Sequence, residues 1–386
     1  MESIVSQIYA LVESADNVSR LSIQRELQKV QSEIQGPHDT LMAFGNSNLL
    51  IAMLRLAVDL RVFRQLVKSQ HPLTVANLAK PSNSCLEFME RVLRYLAANL
   101  MIQETGVNEY RANNVTYVLA DPRGEGIAYH GFDVFGPVIQ VMPNFFAENK
   151  YQDITSNINT PFQKAFNTQL TCFEWLVQNP KHFESLQKVM TALEGVEWTN
   201  GFSLLEEEVK KITPTSPPEE TFFVDVGGGH GHQGIQLGKK YPALLGHLVL
   251  QDLPETINRL PPIEGVKAQA ADFFQVQPII GANFYYLRRI IHDWPDKEAV
   301  VILQNIASAM TPKSRILVDD VVLPDTGAHW QAAMADLSMM FCFGGKERTT
   351  RQWNLLADRA GLRIEQFHTY AATTYTAILV MALKFE

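Results

Sequence analysis

Cysteine is scarce in this chain: Cys85, Cys172 and Cys342 are the three in 386 residues, and they lie far apart. That spacing makes neither a metal-ligand cluster nor a disulfide framework, so no metal is expected and a reducing compartment is. A basic surplus is also missing. Lys and Arg number 33 against 41 Asp and Glu, a net charge of −8. Nucleic-acid binding draws on phosphate-neutralising cations, so no nucleic-acid partner is expected. The start, MESIVSQIYALVESADN, lacks the basic end and long apolar run of a secretory signal. No apolar stretch reads as long enough to span a bilayer, so no membrane partner is expected and the cytosol is the default location. Internal repeats and low-complexity tracts are absent as well.

What is present is apolar material. Hydrophobic residues make up 46% and charged residues 19%, which suits a globular protein with large cores. The length exceeds one ordinary domain. Residues 1–35 read as helix, with Ile4, Ile8, Leu11 and Val12 at helical spacing and Leu21, Ile23, Leu27 and Val30 continuing it. This face packs either on a partner surface or on its own domain's core. From 40 to 120 come helix-like NLLIAMLRLAVDLRVFRQLV, then PLTVANLAK, then NSCLEFMERVLRYLAANLMI, and two β-like pieces around MIQETG and YRANNVTYVLA. Helix, turn, helix and hairpin is a winged-helix pattern. Its second helix offers Arg91 and Arg94 beside Glu87 and Glu90, and Phe88, Leu93, Tyr95 and Leu96 for packing. Residues 125–205 are helical and aromatic, and TPTSPPEE at 213–220 breaks the pattern. The resulting division is a helical, winged-helix-like domain (1–125), a helical connector (126–212) and a third domain (213–386), which the resemblance described below implies are a dimerisation domain, a lining for the substrate pocket and the cofactor domain.

Past the break the period changes. TFFVDVGG, HLVLQDL, GVKAQAADFF, ANFYYLRRI, SRILVDDVVL, GLRIEQFHTY and YTAILVMALKF read as strands, separated mostly by helical segments such as KEAVVILQNIASAM. This alternation predicts an α/β, doubly wound, largely parallel sheet, with the last two strands as an antiparallel edge hairpin.

The strongest motif is DVGGGHG at 225–231. Glycine tolerates positive φ and lets a ligand approach the backbone, and such a turn after the first strand marks the ligand crevice of a doubly wound sheet. A bare turn of this kind serves NAD, FAD or S-adenosylmethionine (SAM). Asp252, ending the second strand, suits ribose hydroxyls in NAD and SAM alike. Asp272-Phe273-Phe274 offers an acid and aromatic faces to an adenine. The glycine spacing is GxGxG and no Walker lysine follows, which argues against an ATP-phosphate cradle.

DVGGGHG, QDLP, ADFF, LRRIIHDWPD, ILVDDVVLPD and GGKERT, in that order, resemble the plant and fungal small-molecule O-methyltransferases over nearly the whole chain. The resemblance implies a class I SAM-methyltransferase Rossmann-like domain behind a winged-helix-like dimerisation domain, a homodimer, a small-molecule substrate and SAM as cofactor. It implies SAM contacts from Gly227, Gly229, Asp252, Leu253, Asp272, Phe273 and Arg288, the last where the family often has lysine. HDWPD matches the catalytic-base motif at His292, and Asp320 and Glu347 match the base-orienting acids, Asp320 standing where plant members have Glu. Asp293 reads either as a cap for the next helix or as a substrate contact. His130, Met142, Phe145, Phe166 and Met334 fall where the family builds its substrate pocket; each also reads as plain core. The implied reaction is methyl transfer to a hydroxyl of an aromatic, pyridone or polyketide-type metabolite. Fungal relatives that keep SAM but act as pericyclases or dehydratases are the alternative, with His130, Arg288 or Arg289 and Asp293 polarising a carbonyl. A SAM-binding regulator on DNA is a third reading, disfavoured by the acidic charge.

Overall fold

The computed structural model describes residues 2–192, 197–213, 217 and 220–384. Of the Pro/Ser break at 213–220, residues 214–216 and 218–219 lie outside the described residues. The chain forms two compact units: 1–144 with 164–195, and 145–163 with 196–386. Residues 126–212 are thus shared between the units, and the first division falls within helix Gly136–Glu148.

In the first unit, helix Leu86–Ala98 buries Met89, Val92, Leu93 and Leu96, one face at helical spacing, against Leu54, Ala57, Phe63 and Leu78. Phe88, expected to pack, is exposed, and Arg94 pairs with Glu90 at 2.7 Å. Strands β1 (Leu73–Thr74), β2 (Gln103–Gly106) and β3 (Glu109–Arg111) form an antiparallel sheet in the order β1-β3-β2, the wing of the expected pattern. The β-like reading of NVTYVLA is corrected: Asn114–Ala120 is a helix. Asn113 caps it by accepting the Thr116 N–H at 2.9 Å, while the Thr116 hydroxyl accepts the Asn113 N–H at 3.0 Å. This local cap outweighs the β-branched residues.

Helix Asn17–Ile34 buries none of its 18 residues. Val18, Leu27, Val30 and Ile34 are all exposed, so this helix covers no core of its own. An 18-residue window of helix Pro37–Asp59 has a mean hydropathy of 1.5, so by length and composition alone this helix is apolar enough to cross a membrane, a test that a core helix of a globular protein also passes. Its Leu54, Ala57 and Val58 are in the unit's core and its Arg55 is ion-paired with Asp59 and Asp133. Among the aromatics of the 125–205 segment, Phe145 and Phe162 are buried in the core, whereas Phe132 and Phe173 are exposed.

The second unit is built on an eight-stranded sheet. Its strands are β4 (Phe223–Val226), β5 (Leu248–Asp252), β6 (Val266–Ala270), β7 (Phe284–Arg288), β8 (Arg315–Leu323), β9 (Arg348–Thr349), β10 (Leu362–Ala371) and β11 (Thr376–Leu383). The order is β10-β11-β8-β7-β4-β5-β6, with β9 beside β8. β4, β5, β6, β7 and β8 run parallel, and β10–β11 is the expected antiparallel edge hairpin. One face packs on helices Asp296–Ala307 and Thr350–Arg359 through Leu287, Ile302, Ile306 and Trp353; the other packs on Trp198, Phe202 and Leu237. Strands buried on both faces read as near-continuous apolar runs, which is why FFV and LVL were legible.

Candidate active site

β4 has parallel neighbours on both sides, β5 and β7, so the chain crosses over in opposite directions around it and leaves a crevice at the strand ends. The glycine turn fills that position. Gly227, Gly229 and Gly231 have φ of 71°, 57° and 75°, the left-handed region open to glycine. Their neighbours divide the roles. A Cβ on Gly227 would lie 2.8 Å from Ile290, on Gly228 2.4 Å from an Asp225 oxygen, and on Gly231 2.6 Å from Ile263, so these three serve close packing. Gly229 has nothing within 4 Å and opens on free space. Its N–H donates to Asp252 Oδ2 at 2.9 Å, and the Leu253 N–H to Oδ1 at 2.8 Å. Each carboxylate oxygen keeps a lone pair for a further donor. Leu253 is half exposed, Asp272 is exposed and accepts the Phe274 N–H at 2.9 Å, and the Phe273 ring borders Gly227.

Asp225, not singled out from the sequence as a site residue, lies buried under this turn with neither oxygen hydrogen-bonded among the described residues. Burial pushes its pKa up to about 7, opposed by the Arg288 guanidinium and helped by Asp252. An unpartnered acid beneath an open glycine, with a second acid and an aromatic face alongside, fits a ligand carrying an adenosine and cationic groups.

Arg288 sits on the sheet face opposite His292's cluster. Successive residues of a strand point to opposite faces, so Asp319 and Asp320, both fully buried on β8, serve different sites. Asp319 accepts the Tyr286 hydroxyl at 2.5 Å and the Tyr370 hydroxyl at 2.7 Å, and lies 3.4 Å from Arg288. Sequence reasoning missed this network; the adjacent acids in VDD were its only trace.

His292 follows β7 in the short turn Ile291–Asp293. Arg289, a non-glycine residue with φ 55°, redirects the chain into that turn, a strain of the kind functional sites store. The imidazole is buried, its Nδ1 2.9 Å from Glu347 Oε1, 3.8 Å from Asp320 Oδ1, and its Nε2 3.6 Å from Asp293 Oδ1. Glu347 therefore makes the hydrogen bond, while the shorter Asp320 stops short of one and neither of its oxygens has a partner among the described residues. Burial works against the imidazolium, but Asp320, Glu347 and Asp293 outweigh it and raise the pKa to about 10. Burial lifts Asp320 to about 7 and Asp293 to about 6, in both cases against the pull of His292. Asp293 does not cap the next helix: Pro295 is the N-cap of Asp296–Ala307.

The remaining expected residues divide between the units. Phe145 and Met334 belong to the second, Phe145 buried and Met334 exposed on helix Trp330–Phe343. His130, Met142 and Phe166 belong to the first. His130 is buried on a π-helical turn, His130–Phe135, 3.4 Å from the Ser185 hydroxyl and edge-on to Phe135. Burial, with His182 nearby, lowers its pKa to about 4. The Phe166 ring lies 4.3 Å from that of Trp175, tilted by 38°.

Comparison with known proteins places this geometry. Residues 148–363 match the O-methyltransferase domain model and residues 43–121 the O-methyltransferase dimerisation domain. Demethylsterigmatocystin 6-O-methyltransferase of Aspergillus flavus is 41% identical over 100% of this chain and 98% of its own. O-methyltransferase lepI of the same species is 37% identical over 99% of each chain. The solved structure of LepI with SAM and that of a pericyclic reaction enzyme each superpose with a TM-score of 0.88 at 37% identity, over 99% of this chain and 98% of that one. OxaC with sinefungin and meleagrin superposes at 0.83 and 27% identity, again over 99% and 98%. A histidine locked by an acid at the end of β7, a glycine turn after β4 and both family models agree, and the chain belongs to the O-methyltransferase family.

Proposed function

We propose that this protein transfers the methyl group of SAM to a hydroxyl of a small aromatic, pyridone or polyketide-type metabolite, with His292 as general base. The carrying observation is the imidazole's partnering: Nδ1 is engaged by Glu347 at 2.9 Å, which leaves Nε2 to take the acceptor proton. Bound SAM supplies an electrophilic methyl on a sulfonium leaving group. The chain supplies the rest. Asp252 accepts from ribose hydroxyls, Gly229 leaves room, Phe273 and Asp272 flank the adenine, and Asp225 with Arg288 faces the amino-acid end. A phenol has a pKa of about 10, and His292 at about 10 makes proton transfer between them nearly balanced, while the share of free imidazole able to act as base grows as pH rises towards that value. Asp320 and Asp293 stabilise the imidazolium by charge. Phe145 and Met334, in the unit that holds His292, are assigned to substrate contact. The exposed apolar helices at 2–34 and the match to a dimerisation domain support a homodimer.

The likeness to LepI favours a second reading, in which SAM is held without giving up its methyl group. Incubation with SAM and candidate phenols or pyridones separates the two. S-adenosylhomocysteine (SAH) with a product heavier by one methylene supports transfer; an isomerised or dehydrated product without SAH supports the second reading. His292→Ala should abolish SAH release while SAH still binds; retained turnover removes His292 as the base.

A further inference from the structure

The most completely buried cation near this site belongs to Arg348, and the reaction sketched above makes no use of it. Arg348 is fully buried, and its hydrogen bonds go to the backbone around His292 rather than to the imidazole. It donates to Ile291 O at 3.2 Å and Trp294 O at 3.0 Å, the carbonyls bracketing the His292 turn, and to Asp296 Oδ1 at 2.8 Å. It sits one residue after Glu347, on β9, which pairs with β8 through Val322 two residues beyond Asp320. The backbones on either side are also zipped together. The Lys346 N–H donates to His292 O at 2.9 Å, and a Cβ on Gly345 would fall 1.9 Å from that same oxygen. Glu347 is held from its other side, its N–H donating to Asp336 at 2.9 Å.

We infer that Arg348 is a positioning residue: its guanidinium ties the His292 turn to the Glu347 segment and so sets the Glu347–His292 hydrogen bond. The planar fork can reach two carbonyls and a carboxylate at once, which a lysine ammonium on a single stem cannot reproduce. Without it, the 291–294 turn has lost two carbonyl anchors and Glu347 its immediate neighbour's hold, while the Gly229–Asp252 hydrogen bond is untouched and Phe273 meets the turn only edge-on, through Trp294 at 5.9 Å. The consequence for chemistry rests on the reading of His292 as the base; the consequence for the histidine does not.

Arg348→Lys, and Asp296→Ala as a milder variant that removes the guanidinium's surface carboxylate, are the test. Three readouts are needed: the His292 imidazole titrated by 15N NMR, SAH affinity by calorimetry, and kcat with its pH profile. In Arg348→Lys the imidazole pKa should fall, since the bond to Glu347 lengthens, and kcat should fall about tenfold or more, as misplacement of a general base costs. SAH affinity should stay within a factor of about two to three, because its ligands are elsewhere. Asp296→Ala should move both quantities the same way by less. An unshifted His292 titration in folded variants overturns the inference and leaves Arg348 a stabilising group only. A shifted titration in a wild-type protein that releases no SAH keeps the inference and overturns the methyl-transfer reading instead.

Discussion

Glu347→Gln is the most telling perturbation of the His292 cluster. The glutamine keeps the shape and an acceptor oxygen 2.9 Å from Nδ1 but removes the charge. A hydrogen bond between charged groups contributes about 1.5–3 kcal/mol, and one pKa unit corresponds to about 1.4 kcal/mol. The imidazolium should therefore lose about one to two units from its pKa of about 10. It remains above the ordinary histidine value because Asp320 and Asp293 persist. The sign follows for stability as well. A cation favoured in the folded state contributes stability that is full below pH 6.5 and is lost as pH rises through about 10; the variant loses part of that contribution across the neutral range. In the assay, SAH release is followed from pH 6 to 10.5 with one acceptor. Log kcat/KM of the wild type should climb with unit slope towards pH 10. The variant's limb should sit one to two units lower, with a reduced plateau because a less basic imidazole draws the acceptor proton more weakly. A limb that stays in place, or moves to higher pH, refutes the assignment of Glu347 as the partner that holds the proton on His292.

Asp252→Asn removes the charge from the acid that accepts the Gly229 N–H at 2.9 Å; calorimetry should show SAH binding weakened about 10- to 100-fold, at about 1.5–3 kcal/mol per charged hydrogen bond. Asp225 has a folded pKa of about 7 against an ordinary 3.8, so the folded state holds a proton the unfolded state has lost, and stability falls as pH rises from about 4 to 7. Asp225→Asn should thus stabilise the ligand-free protein at pH 8 by up to about 4 kcal/mol, with little change at pH 4, read by denaturant unfolding; equal shifts at both pH values contradict this. Leu27→Asp with Val30→Asp puts two charges on a helix with no buried residue; light scattering should show a dimer for the wild type and a monomer for the variant.

Local chemistry was legible wherever a residue's role depends on its own neighbours in the chain. Short near-continuous apolar runs announce strands, and Gly227, Gly229 and Gly231 announce a left-handed turn because other residues resist positive φ. Asp252 at a strand end and His292 after another could be marked because strand ends define the crevice. Helix Asn114–Ala120 was missed although its cap, Asn113 with Thr116, is in plain view; the β-branched residues masked it.

Packing decided what remote residues do to one another. Nothing in VDD says which acid faces which site, because facing depends on the register of β8 against β7 and β11. The sequence could name Glu347 as a partner of His292 only through resemblance: the two are 55 residues apart, and the hydrogen bond exists because Gly345 lets two backbones touch. Asp225, Arg348 and the raised pKa of His292 were invisible beforehand, since burial and charge proximity are properties of the assembled interior. The chain's residue order determined the sheet, the turn and the reactive group; tertiary structure alone set the electrostatics that make that group a base, because Coulomb interactions act through space and follow no sequence spacing.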